Sequence, residues 1–418
     1  MYQLDWVAQV RSRTGLTLAI PRDLAVHPTV WKLGITSLLT DVSSEMVSSV
    51  LPLYFVLHLH FSPLQFGLLD GISQGAAVAL LSLAAGIAAD RWRAQKQVAI
   101  TGYALSAFSK IALLAAGGAW TVVAGVLALD RVGKGIRTAP RDAMISLVSP
   151  RGSLATSFAV HRGLDTFGAL LGPLLAFSLL RLIPGSFDLI LMVSFCVALI
   201  GVGLIGLLVE KPPATPVASG PGASLSLSFS LFKQPRFCAL AIAAALLGLS
   251  TASDGFIYLM MQARTHSSAS DIPLYAFLTA SSYLLLSIPA GRLADRWGRG
   301  RVFLGGYLLL AIVYGSLLWA GLGHRGQFLI VGLLGAYYAA TDGVMAAMVS
   351  AAIGLDLRTS ALALLNTISS LTRLGSSILF GWIWASGTMN TAAWTFLGCL
   401  CTAIMLSAII LADRRKPA

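Results

Sequence analysis

Ionisable side chains recur at helical spacing inside long apolar stretches of the sequence. Asp41 and Glu45 are four residues apart, as are His161 and Asp165, so each pair shares one face of a helix. Histidine titrates near neutral pH, and a carboxylate that changes its charged partner between two conformations can bind and release a proton. These four residues are the candidates for proton coupling, with purely structural hydrogen bonding as the alternative.

A second group of charges lies on one helical face. Its members follow one another at i, i+4, i+7 and i+11: Asp130, Lys134, Arg137 and Arg141. Arg131 falls near the middle of the same apolar stretch. Basic side chains at that depth suit an anionic substrate or a proton relay, whereas ion pairing between helices is the structural alternative.

Composition places these charges in a membrane. Of the 418 residues, 56% are hydrophobic and 11% are charged, compared with about 25% charged in a typical soluble domain. This composition argues against a cytosolic enzyme, a nucleic-acid-binding protein and a disordered chain. A charge at the bilayer centre costs about 2.5–3.5 kcal/mol, so the buried charges must face a polar interior or pair with one another.

Twelve apolar runs are long enough to cross a bilayer, which takes about 20 residues of helix. Nineteen Lys and Arg residues that flank these runs lie on the side of the N-terminus, and three lie on the other side. The positive-inside rule therefore predicts a multi-pass protein of the inner (plasma) membrane with both termini in the cytoplasm. The predicted divisions are a cytoplasmic N-terminal segment (1–31), a six-helix half (32–209), a cytoplasmic linker (210–235), a second six-helix half (236–412) and a cytoplasmic tail (413–418).

The two halves contain a repeat. The segment Gly86–Trp92 matches Gly291–Trp297 at five of seven positions, with an offset of 205 residues. Halves of equal topology indicate a transporter whose substrate site lies between them. Arg373 breaks the repeat because the equivalent first-half position holds glycine, and asymmetric residues often handle substrate. The substrate-binding candidates are Lys110, Arg131, Lys134, Asp254 and Arg373.

Three motifs carry a family resemblance. The loop after the eighth helix reads G-x-x-x-D-R-x-G-R from Gly291, the fourth helix contains R-x-x-x-G from Arg131, and the fifth contains G-x-x-x-G-P from Gly168. From about Trp31 to Asp413 the sequence resembles the major facilitator superfamily. The resemblance implies two six-helix bundles, alternating access and a cytoplasmic gate. The gate residues would be Asp90, Arg91, Asp142, Asp295 and Arg296.

The function predicted from these features is secondary active transport of a small organic solute, coupled to protons. Efflux is favoured because the fifth-helix motif is part of an exporter signature. The alternatives are a proton-coupled or facilitated uptake permease for an anionic metabolite or siderophore and, less favoured, a membrane-embedded enzyme. No catalytic residue, metal site, cofactor or nucleic-acid partner is predicted, and the chain is expected to act as a monomer in the lipid bilayer.

The topology can be tested with reporter fusions. Fusions after Lys211 and after Ala418 should both report a cytoplasmic position, because the basic loops are retained on that side. A fusion after Arg181 serves as the control and should report the outer side. An outer position for either of the first two would contradict the twelve-span topology.

Overall fold

A computed structural model describes residues 26–73, 94–150, 154–210, 231–265, 267–319, 324–353 and 358–413. These residues form twelve long helices and contain no strand. The first half contains α1 (Pro28–Ser48), α2 (Pro63–Ser73), α3 (Gln95–Ala116), α4 (Trp120–Val148), α5 (Leu154–Leu182) and α6 (Phe187–Leu208). The second half contains α7 (Pro235–Thr265), α8 (Ile272–Trp297), α9 (Arg299–Leu318), α10 (His324–Ala352), α11 (Arg358–Ser386) and α12 (Met389–Asp413).

Helix α1 is continued by two short elements. A three-residue helix spans Leu51–Leu53, and a π-helical turn spans Tyr54–His58. Together these two elements extend the first span to His58. Within the described residues, eight helices are long and apolar enough to cross a membrane. Four helices are not among these eight: α2, of which only the 11 residues Pro63–Ser73 are described, and α1, α4 and α11, which carry ionisable or polar residues in their middle.

We call the side where α1 begins and α12 ends the proximal side, and the other the distal side. At the distal side α2 of the first half packs directly against α11 of the second half. A Cβ atom added to Gly67 would collide with the backbone of Ser377, and one added to Gly381 would collide with the backbone of Pro63. Glycine at these positions therefore permits backbone-to-backbone contact between the two halves.

A second distal contact joins the same two halves. The guanidinium of Arg181, at the end of α5, lies 3.1 Å from a carboxylate oxygen of Asp271, just before α8. A hydrogen bond from the Ser377 hydroxyl of α11 to the Asp70 carboxylate of α2 also joins the two halves. The structure therefore has a distal side on which the halves are held together.

Helix α7 is interrupted between Leu249 and Asp254, a feature that the apolar run did not predict. The backbone groups that lose their helical hydrogen bonds at the interruption are hydrogen-bonded to side chains of neighbouring helices. The Ala252 N–H donates to the Tyr314 hydroxyl at 2.6 Å, and that hydroxyl donates to the Ser250 carbonyl at 3.3 Å. The Ser376 hydroxyl donates to the carbonyl of Thr251. Unpaired backbone groups are very costly in a membrane, so these contacts make the interruption stable.

Replacing Tyr314 by Phe should destabilise the protein by about 1–3 kcal/mol, because two backbone groups lose their partner. Tyr103→Phe is a matched control, since the buried Tyr103 hydroxyl has no hydrogen-bond partner in the described structure. Thermal unfolding of both variants in detergent would compare them. Equal stability of the two would contradict the role assigned to Tyr314.

Candidate functional site

A cavity of about 490 Å³ lies between the two halves and is lined by residues of both. Its size falls within the range of small-molecule sites, about 300–1,000 Å³. Its charged lining residues come from six different helices: Glu45, Asp70, Arg131, Asp254, Asp342 and Arg373. Tyr258, Tyr283 and Tyr338 add aromatic rings to the same wall. We call this space the central cavity.

Glu45 reaches the central cavity because α1 and α5 pack closely. A Cβ atom added to Gly172 would lie 2.7 Å from the Met46 nitrogen and 2.9 Å from the Glu45 Cβ atom. The glycines of the fifth-helix motif thus fix the position of α1 at this level. Within the described part of the chain, the Glu45 carboxylate forms no ion pair.

Arg131 is the one basic residue of α4 that lines the central cavity in the described structure. Its guanidinium lies 3.2 Å from Asp130, which also lies 2.8 Å from the Lys110 ammonium. The hydroxyls of Ser106 and Ser109 donate to the same carboxylate oxygen at 2.6 and 3.1 Å. Lys110 is 3% exposed and does not line the central cavity. It pairs with the same Asp130 carboxylate that holds Arg131.

The second half contributes two polar pairs to the central cavity. The Tyr338 hydroxyl donates to Asp254 at 2.7 Å, and Arg373 lies 3.7 Å from Asp342. Asp254 is the first residue of the second segment of α7, where the helix dipole favours a negative charge. Both substrate-binding candidates from this half, Asp254 and Arg373, therefore line the central cavity.

Asp70 also lines the central cavity, and sequence reasoning missed it. Its carboxylate accepts a hydrogen bond of 2.6 Å from the Ser377 hydroxyl of the opposite half. Asp70 lies only seven residues after the first residue of α2, so in the sequence it resembles a charge at the end of a span. The following Gly71 packs against Leu374 of α11, and a Gly-spaced helix face was the available signal for this contact.

The other proton-coupling candidates lie within the first half, apart from the central cavity. Asp41 lies 3.5 Å from Arg137, whose guanidinium covers the Tyr103 ring at 4.8 Å. His161 lies 3.7 Å from Asp165. Four of these groups carry buried atoms without a hydrogen-bond partner among described residues: Tyr103, Arg137, His161 and Asp165. We call these residues, together with Asp41, the buried polar cluster.

Arg141 completes the buried polar cluster. It lies 2.9 Å from Asp142 and 3.9 Å from Asp165, and it donates to the Ser37 hydroxyl at 3.0 Å. Lys134 is half-buried, forms no ion pair within the described residues, and does not line the central cavity. The predicted cationic face of α4 thus turns mainly toward α1, α3 and α5.

The gate residues are only partly visible. Asp90 and Arg91 lie outside the described residues. Asp142 pairs with Arg141 of its own helix, while Asp295 is exposed and lies 3.1 Å from Arg299 of its own half. Arg296 is exposed. In this conformation the described gate residues form no ion pair between the halves, in contrast to the distal contacts.

The pair of Lys110 and Asp130 can be tested by a double-mutant cycle. Lys110→Met alone should destabilise the protein by about 3–5 kcal/mol, because a buried carboxylate loses a partner. Adding Asp130→Leu removes the carboxylate that Lys110→Met leaves without its ammonium partner, although Arg131 then loses its own partner, so the loss in the double variant should be smaller than the sum of the two single losses. Unfolding in denaturant measures all four proteins. Additive losses in the double variant would mean that the two groups do not interact.

Comparison with known proteins fits this architecture. Residues 33–280 match the sequence model of the Major Facilitator Superfamily. The MFS-type transporter MJ1317 of Methanocaldococcus jannaschii is 30% identical over 371 residues, which cover 87% of this chain and 90% of that protein. The protein Mb2288 of Mycobacterium bovis is 36% identical over 142 residues, 34% of each chain.

Solved structures share the fold. The nucleoside transporter NupG superposes with a TM-score of 0.77 at 18% identity, covering 94% of this chain and 100% of that one. A bacterial homologue of the human lysosomal transporter Spinster superposes with a TM-score of 0.71 at 16% identity, covering 93% and 98%. These superpositions confirm the predicted all-α membrane fold of two six-helix halves. The family match and the similarity to MJ1317 confirm the prediction that the protein is a transporter and not an enzyme. The chain belongs to the Major Facilitator Superfamily.

Proposed function

We propose that this transporter uses the proton gradient to export a small organic solute from the cytoplasm. The supporting observation is Glu45, a carboxylate that faces the central cavity and forms no ion pair with a described residue. A carboxylate without a salt bridge in a membrane is strongly driven to take up a proton or a cationic partner. Glu45 is therefore the group that senses both the proton and the solute.

Protons reach Glu45 through the first half. The buried polar cluster occupies the same bundle, and Asp41 lies one helical turn from Glu45 on α1. His161 and Asp165 of α5 extend the cluster toward the proximal side. A chain of titratable groups with unfilled hydrogen-bond positions can pass protons when water fills the gaps. We assign these groups to proton transfer and the central cavity to the solute.

Alternating access supplies the transport cycle. The proximal side is taken as cytoplasmic, with both termini there, in the inner membrane. The contacts of α2 with α11 and of Arg181 with Asp271 close the distal side in the conformation described. In the opposite conformation Asp90 and Asp295 would close the proximal side by contacting helix N-termini of the other half. One chain supplies both walls of the central cavity, so a monomer suffices.

Uptake of an anionic metabolite is the second candidate function. Its supporting observation is that two guanidinium groups, those of Arg131 and Arg373, line the central cavity. Each already lies within 4 Å of a carboxylate, at 3.2 Å from Asp130 and 3.7 Å from Asp342. Because an anion would have to compete with these carboxylates, we place export first.

The proposal can be tested without knowing the solute. In a variant whose native cysteines are replaced, Ser48→Cys introduces a thiol in the wall of the central cavity. Impermeant maleimide is then applied to either side of vesicles over a range of pH. Proton-coupled alternation predicts that the ratio of labelling from the two sides changes with pH. Glu45→Gln, which mimics the protonated form, should hold the ratio at its low-pH value.

Asp188→Asn is the matched control because Asp188 is an exposed carboxylate at the distal end of α6. It should keep the pH dependence of the wild type. Simultaneous labelling from both sides in a single conformation would indicate a channel. A ratio that does not respond to pH in the wild type would refute proton coupling.

A further inference from the structure

We infer that the transported solute is an organic cation, held between Glu45 of the first half and Asp254 of the second. This inference rests on the proposed function and names the substrate class of its central cavity. It differs from the anionic or polar solute expected from the basic residues of α4. The charges that line the central cavity, and the partners that each already has, lead to the difference.

The lining of the central cavity is acidic. Four carboxylates and two guanidinium groups face it, so its formal charge is −2 when all six are ionised. The two guanidinium groups are each engaged with a carboxylate, Arg131 with Asp130 and Arg373 with Asp342. The two basic residues that line the central cavity are therefore already engaged with carboxylates.

Glu45 and Asp254 are in the opposite situation. Within the described residues neither lies in an ion pair, and the hydrogen bond of Asp254 comes from the neutral Tyr338 hydroxyl. The backbone that carries each carboxylate is fixed, that of Glu45 by the contact of α1 with Gly172 and that of Asp254 by the supported interruption of α7. Two carboxylates that form no salt bridge with a described residue thus face a space large enough for a ligand.

The other lining residues suit an organic cation better than a metal ion. Tyr258, Tyr283 and Tyr338 line the central cavity together with Phe55 and Phe66. Aromatic faces attract ammonium groups and pack against their hydrocarbon substituents. Within the described residues, no group of three or more His, Cys, Asp or Glu side chains is placed to hold a metal ion. A volume of about 490 Å³ also exceeds what a bare ion needs.

A cation bound to these carboxylates would exclude protons from them. Proton and solute therefore compete for the same carboxylates. A proton that enters from the outer side displaces the solute toward that side, so the transporter exchanges protons for solute. The carboxylates are ionised at high pH, so affinity for the cation should rise as pH rises and fall as pH falls. For one competing carboxylate the change reaches about tenfold per pH unit.

The test compares three probes that share a phenyl ring and differ in charge: benzyltrimethylammonium, phenylalanine and 3-phenylpropionate. Binding to the purified full-length protein in detergent is measured by calorimetry across a pH series. We expect benzyltrimethylammonium to bind in preference to the other two, with affinity increasing with pH. Preference for 3-phenylpropionate or phenylalanine, or binding of none of the three, would overturn the inference.

Variants assign the effect to residues. Glu45→Gln and Asp254→Asn should each weaken cation binding at least about tenfold and reduce its pH dependence. Glu45→Asp keeps the charge and should retain binding, which separates loss of charge from loss of folding. Asp188→Asn should bind as the wild type does. Arg131→Ala removes a positive charge from the wall of the central cavity and should strengthen cation binding, and a loss of binding in that variant would contradict a cationic solute.

The two proposals fail separately. Binding of an anion combined with pH-dependent labelling of the Ser48→Cys thiol would leave proton-coupled transport standing and overturn the cationic solute. Labelling that does not depend on pH would refute proton coupling whichever probe binds. Cation binding with unchanged affinity at all pH values would overturn the competition on which the inference depends.

Discussion

The cost of leaving a charge without a partner in hydrocarbon determines how this molecule is built. Lys110 and Asp130 are each almost completely buried, and they are tolerable because they lie 2.8 Å apart and two serine hydroxyls donate to the Asp130 carboxylate. Arg131 then shares the same carboxylate and projects into the central cavity. A chain of compensated charges thus leads from the interior of the first half to the solute space.

The same constraint acts on the backbone. Helix α7 can be interrupted at Ser250–Ser253 only because Tyr314 and Ser376 provide hydrogen bonds that the helix itself no longer supplies. The interruption turns the second segment so that its first residue, Asp254, lies at the wall of the central cavity. Tyr314 of α9 does not line the central cavity, but its hydrogen bonds stabilise the interruption that places Asp254 at the cavity wall.

The sequence predicts the helices well, because hydropathy and the positive-inside rule act on each segment separately. It also predicts which residues share a helix face, such as His161 and Asp165. It does not reveal which neighbour that face meets. Lys110 and Asp130 are twenty positions apart on different helices, and their pairing depends on the close approach of Gly102 to Gly133. The interruption of α7 was hidden for a related reason, since an apolar run looks the same whether its hydrogen bonds are internal or come from neighbours.

The α2–α11 contact has a consequence for the speed of the transport cycle. Gly67 and Gly381 present bare backbone to the opposite helix, so at these two positions no side chain lies between the helices. Two helices with interdigitated side chains must repack those side chains before they can move past each other. Two helices in backbone contact can slide past each other without such repacking. The hydrogen bond between Asp70 and Ser377 is a directional contact that must be broken there. Opening of the distal side must also break the ion pair of Arg181 with Asp271, so these polar contacts contribute to the barrier to opening.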